Sequence, residues 1–135
     1  MPPVLVAPDS FKGSLRASEV AAAIGRGLES AGLEPPDLCP VADGGEGTME
    51  VLLTRLGGES AAARVSGPGG AAIAAGFALL GDGELALVEV AQASGLTAGL
   101  DPEQASTRGT GELIAAAVEG GAQTVLVAAG GSGTT

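Results

Sequence analysis

The hydrophobic pattern breaks the chain into short apolar runs separated by glycine-rich polar loops. Val4–Ala7 is an apolar run stopped by Pro8 and Asp9 and predicts a buried strand. Ser18 and Glu19 lead an alanine-rich stretch to about Ser30 that predicts a helix, with Val20, Ala23, Ile24 and Leu28 on its inner face. Ala31-Gly32 closes it, and Glu34-Pro35-Pro36 reads as a linker. Leu38–Ala42 predicts a second strand, which Pro40 places at an edge. After the glycine loop Asp43–Gly47, Thr48–Leu56 predicts a helix with Val51, Leu52 and Leu56 inward, closed by Gly57-Gly58.

The middle of the chain changes character. Ala61–Val65, Ala72–Leu80 and Leu85–Val90 read as strands, joined by turns at Gly67–Gly70 and Gly81–Gly83. Asp82-Gly83 between two apolar runs is a hairpin signal. Ala71–Ala75 and Ala78–Leu80 are also good helix formers, so a helix is the competing reading there. Thr107–Val118 predicts a helix ended by Gly120-Gly121, and Thr124–Ala129 a buried strand. The fold class is α/β, with parallel βα units at both ends and a mixed or antiparallel middle. The middle, about Ala61–Val90, is expected in a different layer or subdomain from the terminal units.

Composition narrows the function. At 135 residues the chain suits one ordinary domain with a real core. Its longest apolar stretch, around Ala71–Leu80, is far short of the ~20 residues a membrane span needs. Glycine supplies 24 of 135 residues, without a Gly-X-Y period, which suggests tight turns and close backbone approach. The only aromatics are two Phe, so stacking platforms for single-stranded nucleic acid are missing. Net charge is 6 − 16 = −10, which repels a phosphate backbone and argues against nucleic-acid partners. A small anion would need a local cationic and N–H site. One Cys, Cys39, and no His remove a disulfide framework and the usual parts of zinc, Ser-His-Asp and Cys-His chemistry. The start lacks a basic region before its apolar run, so the expected location is cytoplasmic.

Four polar loops follow predicted strands, where α/β proteins bind ligands. The first carries Asp9, Ser10, Lys12, Gly13 and Ser14; Lys12, the only lysine, is suited to a phosphate or carboxylate, or is simply solvated. The second is Asp43-Gly44-Gly45-Glu46-Gly47. Asp43 could accept a proton from a hydroxyl, Glu46 could hold Mg²⁺, and the pair could equally form a capping box. The third, Ser106–Glu112, offers Arg108 and Thr110 at a helix start as an anion site, unless Ser106 or Thr107 only caps the helix. The fourth, Gly130-Gly131-Ser132-Gly133-Thr134, could form a nest of N–H groups for an anion. It is not a Walker A loop, and no glycine cluster after a strand forms GxGxxG.

In order, Ala7-Pro-Asp-Ser-Phe-Lys-Gly-Ser, Ala42-Asp-Gly-Gly-Glu-Gly-Thr, Gln92-Ala-Ser-Gly-Leu, Ser106-Thr-Arg-Gly-Thr-Gly-Glu-Leu and Gly130-Gly-Ser resemble the bacterial type I glycerate kinase family. The resemblance runs from the first strand to the last residue. It implies phosphorylation of D-glycerate by ATP with Mg²⁺, usually to 2-phosphoglycerate. It also implies two α/β domains, one Rossmann-like, with the active site between them. Asp9, Ser10, Lys12, Asp43, Glu46 and Arg108 would lie in that cleft. Asp43 and Lys12 are the expected catalytic residues and Glu46 the expected metal ligand. Ser14, Gly13, Gly44, Gly45, Thr110, Gly130, Gly131 and Ser132 would help hold substrate and phosphate.

The family's last loop normally continues Ala-Thr-Asn-Asp-Gly-Gly. Here Gly133 stands for the Ala, and Thr135 ends the chain where Asn would stand. The expectation is therefore an N-terminal portion of such a kinase, incomplete relative to the two-domain fold. Residues 1–60 would begin the first domain and 61–135 belong to the second. Exposed sheet edges would favour self-association. The alternative is a non-catalytic small-anion-binding or assembly module derived from such a kinase.

Overall fold

A computed structural model describes residues 3–134. The chain forms two compact units, residues 1–43 and 44–135.

The first unit is a single βαβ turn. Strand β1 (Leu5–Val6) pairs in parallel with β2 (Asp37–Leu38), and α1 (Ala17–Ser30) connects them. Pairing runs beyond the two-residue strands: the N–H groups of Asp37, Cys39 and Val41 donate to Val4, Val6 and Pro8 carbonyls at 2.8–3.0 Å. Only alternate N–H groups face β1, so Pro40 withdraws a donor from the side away from β1. Its place on an edge strand follows. Helix α1 starts one residue before the predicted Ser18, with Arg16 as N-cap and Glu19 accepting the Arg16 N–H at 2.9 Å.

The buried face of α1 differs from expectation. Ala17, Val20, Ala21 and Gly25 are buried, while Ala23 and Ile24 are exposed and Leu28 is half-buried. Small residues at four-residue spacing let the helix sit close to β2. A Cβ on Gly25 would come 3.3 Å from Leu38 Cδ2. Close approach selects this stripe over the bulkier one beside it.

The second unit is a four-stranded sheet in the order β3 (Gly58–Ser66), β4 (Ala72–Leu80), β5 (Leu85–Glu89), β6 (Thr124–Ala128). β3–β4 and β4–β5 are antiparallel, and β5–β6 is parallel, so the mixed sheet joins the predicted middle segment to the last βα unit. The middle strands therefore share a layer with β6, against expectation. The strand reading of Ala72–Leu80 holds, and its nine residues all register with β3. Helices α3 (Val90–Ser94) and α4 (Arg108–Glu119) carry the chain from β5 to β6.

Both faces of this sheet are covered, which explains why β4 is a continuous apolar run rather than an alternating one. On one face Val65, Ala75, Phe77, Ala86 and Val88 meet Ala93, Leu113 and Ala117 of α3 and α4. On the other, Ala78, Leu80, Leu87 and Ala128 are covered by Met49, Leu52 and Leu53 of α2 (Thr48–Leu56). Leu113 is fully buried, so its truncation to Ala would remove about 2–5 kcal/mol. Because α2 packs here, the boundary between the compact units falls at 43/44, inside the glycine loop.

Two burial expectations are corrected. Leu56 points outward on the last turn of α2, since the covered stripe is Met49, Leu52 and Leu53. Strand β6 is not buried: Leu126 and Val127 are 44% and 45% exposed, because β6 is the last strand of the sheet among the described residues.

Candidate functional site

In the first unit the loop after β1 folds into a tight turn. Phe11 N–H donates to the Leu15 carbonyl at 2.8 Å, and the Ser14 and Leu15 N–H groups return to the Phe11 carbonyl. Gly13, at φ +74°, supplies the left-handed corner, and the Ser14 hydroxyl donates to the Phe11 carbonyl at 3.1 Å. Lys12 stands at the tip of this turn, exposed, with no ion-pair partner among the described residues. Asp9 turns one carboxylate oxygen to the Ser10 N–H at 2.6 Å. Asp43, at the end of this unit, is exposed.

The capping alternative for Asp43 and Glu46 is not realised. Helix α2 begins later, with Gly47 as N-cap in the left-handed region (φ 93°) and no side-chain cap. Glu46 is exposed and lies outside the helix. One N–H of the first turn of α2 finds another acceptor: Met49 N–H donates to Glu89 Oε1 at 2.6 Å. Glu89 ends β5, is 2% exposed, and accepts from Gln92 Nε2 through its other oxygen at 3.2 Å. Sequence reading passed over Glu89 because it closes an apolar run. A lone acid at the carboxyl end of a buried strand is the signal that could have found it.

The carboxyl ends of β5 and β6 gather the second unit's small-residue loops. Gly130 N–H donates to the Gly44 carbonyl at 2.9 Å. A Cβ on Gly130 would sit 2.7 Å from the Gly45 N and Cα, so only glycine lets the two backbones touch. Ser132 bridges to Gly95, and Gly133 N–H donates to the Ser94 carbonyl at 2.8 Å. Ser94 Oγ lies 2.7 Å from Thr110 Oγ1, both buried, which ties the start of α4 to the end of α3. Gly44, Gly45, Gly130, Ser132 and Thr110 thus belong to one linked network, with Gly131 beside Ala91.

Arg108 opens α4 and is held differently from a simple anion site. Its Nε donates to Glu112 Oε1 at 2.8 Å one turn along the helix. Glu112 also accepts the Ser66 N–H at 2.6 Å and the Ser66 hydroxyl at 3.2 Å. These contacts lower the Glu112 pKa, the Ser66 backbone bond contributing most and Arg108 next. Glu112 therefore clasps the end of β3 to the start of α4, with Arg108 on its solvent side. The Ser106 hydroxyl accepts the Arg108 N–H at 3.2 Å, so Ser106 supplies a local turn while Thr107, the N-cap, gives no side-chain cap.

At the opposite end of this unit a shallow groove of about 510 Å³ runs along the β4–β5 turn and the end of α4. It carries Glu59, Asp82 and Glu84, and Glu84 is bonded to Gln123 at 3.0 Å. An anionic substrate would be repelled there. Among the described residues no cluster of three or more His, Cys, Asp or Glu side chains is placed to hold a metal.

Comparison with known proteins agrees with the loop pattern. The model of the glycerate kinase family matches residues 4–135. The chain is 45% identical over 137 residues to a glycerate kinase of Bacillus subtilis strain 168, and 43% identical over 136 residues to a glycerate 2-kinase of Escherichia coli K12. Each match covers 97% of this chain and 36% of the relative. The crystal structure of a Salmonella typhimurium LT2 protein named as a glycerate kinase 2 superposes with a TM-score of 0.78 at 39% identity, covering 98% of this chain and 37% of that one. The chain spans about a third of the length of these relatives, and on the family match it belongs to the glycerate kinase family.

Proposed function

We propose that this chain forms part of an ATP-dependent glycerate kinase that transfers phosphate to a hydroxyl of D-glycerate, giving 2-phosphoglycerate. The observation that carries the reading is the family match over a chain whose glycine loops converge on the carboxyl ends of β5 and β6, the end where α/β proteins bind ligands. In this reading residues 1–60 begin a Rossmann-like α/β domain and 61–135 belong to a second α/β domain of a longer cytoplasmic enzyme. No helix among the described residues is long and apolar enough to cross a membrane.

The chemistry asks for a group to position the attacking hydroxyl and for charge neutralisation on the transferred phosphoryl. Within this chain, which has no His, a carboxylate or a bound metal is the group suited to take the hydroxyl proton. Asp43 fills that role: it is exposed, opens the glycine loop, and does not cap α2. The Lys12 ammonium binds an anionic oxygen of substrate or phosphate, with Asp9, Ser10, Gly13 and Ser14 shaping its loop. Arg108, Thr110, Gly44, Gly45, Gly130, Gly131 and Ser132 form the substrate and phosphate side of the second unit.

Mg²⁺ fits the donor chemistry as a nucleotide-borne ion. Among the described residues the available ligands are single carboxylates such as Glu46 rather than a dedicated cage, and Mg²⁺ commonly pairs one or two carboxylates with phosphates and water. When bound, the ion neutralises charge on the phosphates.

A coupled ADP-release assay with D-glycerate, run beside calorimetric titration of glycerate alone, tests the proposal. Glycerate-dependent ADP release supports it. Glycerate binding without ADP release, in the longer enzyme as well as in this chain, would instead favour a small-anion-binding module. The exposed β6 edge, with Leu126 and Val127, is the surface through which this chain would self-associate.

A further inference from the structure

Glu89 is the most deeply buried ionisable side chain described, and no role assigned above uses it. Burial of a carboxylate is unfavourable unless hydrogen bonds or charge compensate it. Here the compensation comes from the Met49 N–H in the first turn of α2, at 2.6 Å, and from the Gln92 amide, at 3.2 Å. The first bond is short for an N–H···O contact. It meets α2 where the helix has no cap of its own, since Gly47 carries no side chain. The contact also spans 40 residues of sequence, so it is tertiary. It joins the end of β5 to the helix that carries the glycine loop.

That loop is held from both ends. Gly45 O accepts the Thr48 hydroxyl at 2.8 Å, and Gly44 O accepts the Gly130 N–H at 2.9 Å. Releasing Met49 would free the helix start, then Thr48, then the Gly44–Gly45 backbone that Gly130 touches.

We propose that Glu89 is a positioning residue: a resident carboxylate that anchors the start of α2 and thereby sets the Gly44–Gly45 backbone against Gly130. A second consequence follows. The positive end of α2 is already matched by Glu89, so this helix start is not a phosphate cradle. The Gly44–Gly45 backbone then faces the hydroxy acid, and Glu46 beyond it serves the nucleotide-borne ion. The proposal rests on the kinase reading only for that choice of substrate.

The test compares Glu89→Ala with Glu89→Gln, whose amide oxygen can still accept the Met49 N–H. Amide hydrogen exchange is read first, in this chain. In Glu89→Ala the Met49 and Gly130 amides exchange at least tenfold faster than in the parent, while the β3–β4 ladder amides Ala63 and Ala75 keep their rates. Glu89→Gln restores both. Equal acceleration everywhere, or none at Met49 and Gly130, overturns the proposal. In the longer enzyme, Glu89→Ala raises KM for glycerate at least tenfold and leaves KM for ATP within threefold; a loss of folded enzyme alone would move neither. Unchanged KM for glycerate overturns it. Should Glu89→Ala not fold, the parent decides: a scalar coupling across the hydrogen bond from Met49 ¹⁵N to Glu89 ¹³Cδ is expected, and its absence overturns the assignment. A parent enzyme without phosphotransfer would sink the kinase reading and leave the exchange result to judge Glu89.

Discussion

Two glycines two residues apart on α4 should respond oppositely to the same substitution. At Gly109 an added Cβ would collide with the Ser66 carbonyl oxygen, and would lie 3.3 Å from Ala93 Cβ. The obstacle is backbone in a paired strand, so α4 itself must move. Overpacking of this kind removes about 1–3 kcal/mol. Displacing α4 also strains the Glu112–Ser66 clasp and the buried Ser94–Thr110 hydroxyl pair, the latter worth roughly 1 kcal/mol. Alanine returns about 1 kcal/mol of helix propensity. The net expectation for Gly109→Ala is a loss of about 1–3 kcal/mol. At Gly111 nothing lies within 4 Å of the added methyl, and the residue is helical. Only the propensity gain remains, so Gly111→Ala should stabilise by roughly 0.5–1 kcal/mol. The two variants should then differ by about 3 kcal/mol, or roughly 10 °C in Tm for a chain this size. Urea and thermal unfolding followed by far-UV circular dichroism would measure it. A Gly109→Ala protein that melts with or above the parent would refute the close approach of α4 to β3.

Three further outcomes concern the proposed site. In the longer enzyme, Lys12→Ala should lower kcat/KM by ~10² or more, the scale of a lost charge-assisted contact of ~3 kcal/mol, with a change below threefold returning Lys12 to a solvated role. Asp43→Asn should abolish most turnover while Tm stays within about 2 °C, because Asp43 is exposed and Asn keeps its shape and most of its hydrogen bonding; a stability loss in proportion to activity would contradict this. Glu112 has a folded pKa below its ordinary value of 4.5, so the unfolded chain takes up the proton first as pH falls. Its contribution is complete above that value and fades as pH drops through the lowered folded value. The stability gap between the parent and Glu112→Gln should therefore close in acid, and a gap independent of pH would contradict the clasp.

Local rules recovered the elements wherever covalent neighbours decided the matter. Ala72–Leu80 reads as a strand because glycine turns bound it on both sides and because two covered faces need no alternation. Thr48–Leu56 and the helix beginning near Thr107 were found within a residue by their glycine stops. The faces were read less well. Counting bulky side chains selected Ile24 in α1 and Leu56 in α2, but close approach to β2 selected Ala17, Ala21 and Gly25 in one, and packing on the sheet face selected Met49 and Leu53 in the other. β6 looked buried because its residues are apolar, and no local signal says on which side of a sheet a strand will lack a neighbour.

The glycine loops show the same division between type and partner. Their position after strands was readable, and so was the need for close approach. Which backbone each would approach was not, because Gly130 meets Gly44 and Gly45 across more than eighty residues. Glu89 lies beyond the same horizon. Its carboxylate answers a missing cap forty positions earlier, and a motif scan of either segment alone sees an uncapped helix and a stray acid. The two anomalies cancel only when paired. A buried carboxyl group at a strand end is unfavourable by itself, and a glycine N-cap leaves the first-turn N–H groups without a side-chain acceptor. Their joint occurrence in one short chain is therefore an argument for contact that could be made before any coordinates are known. Applied here it would have placed the start of α2 beside the end of β5, and with it the loop carrying Gly44 and Gly45 at the carboxyl edge of the sheet.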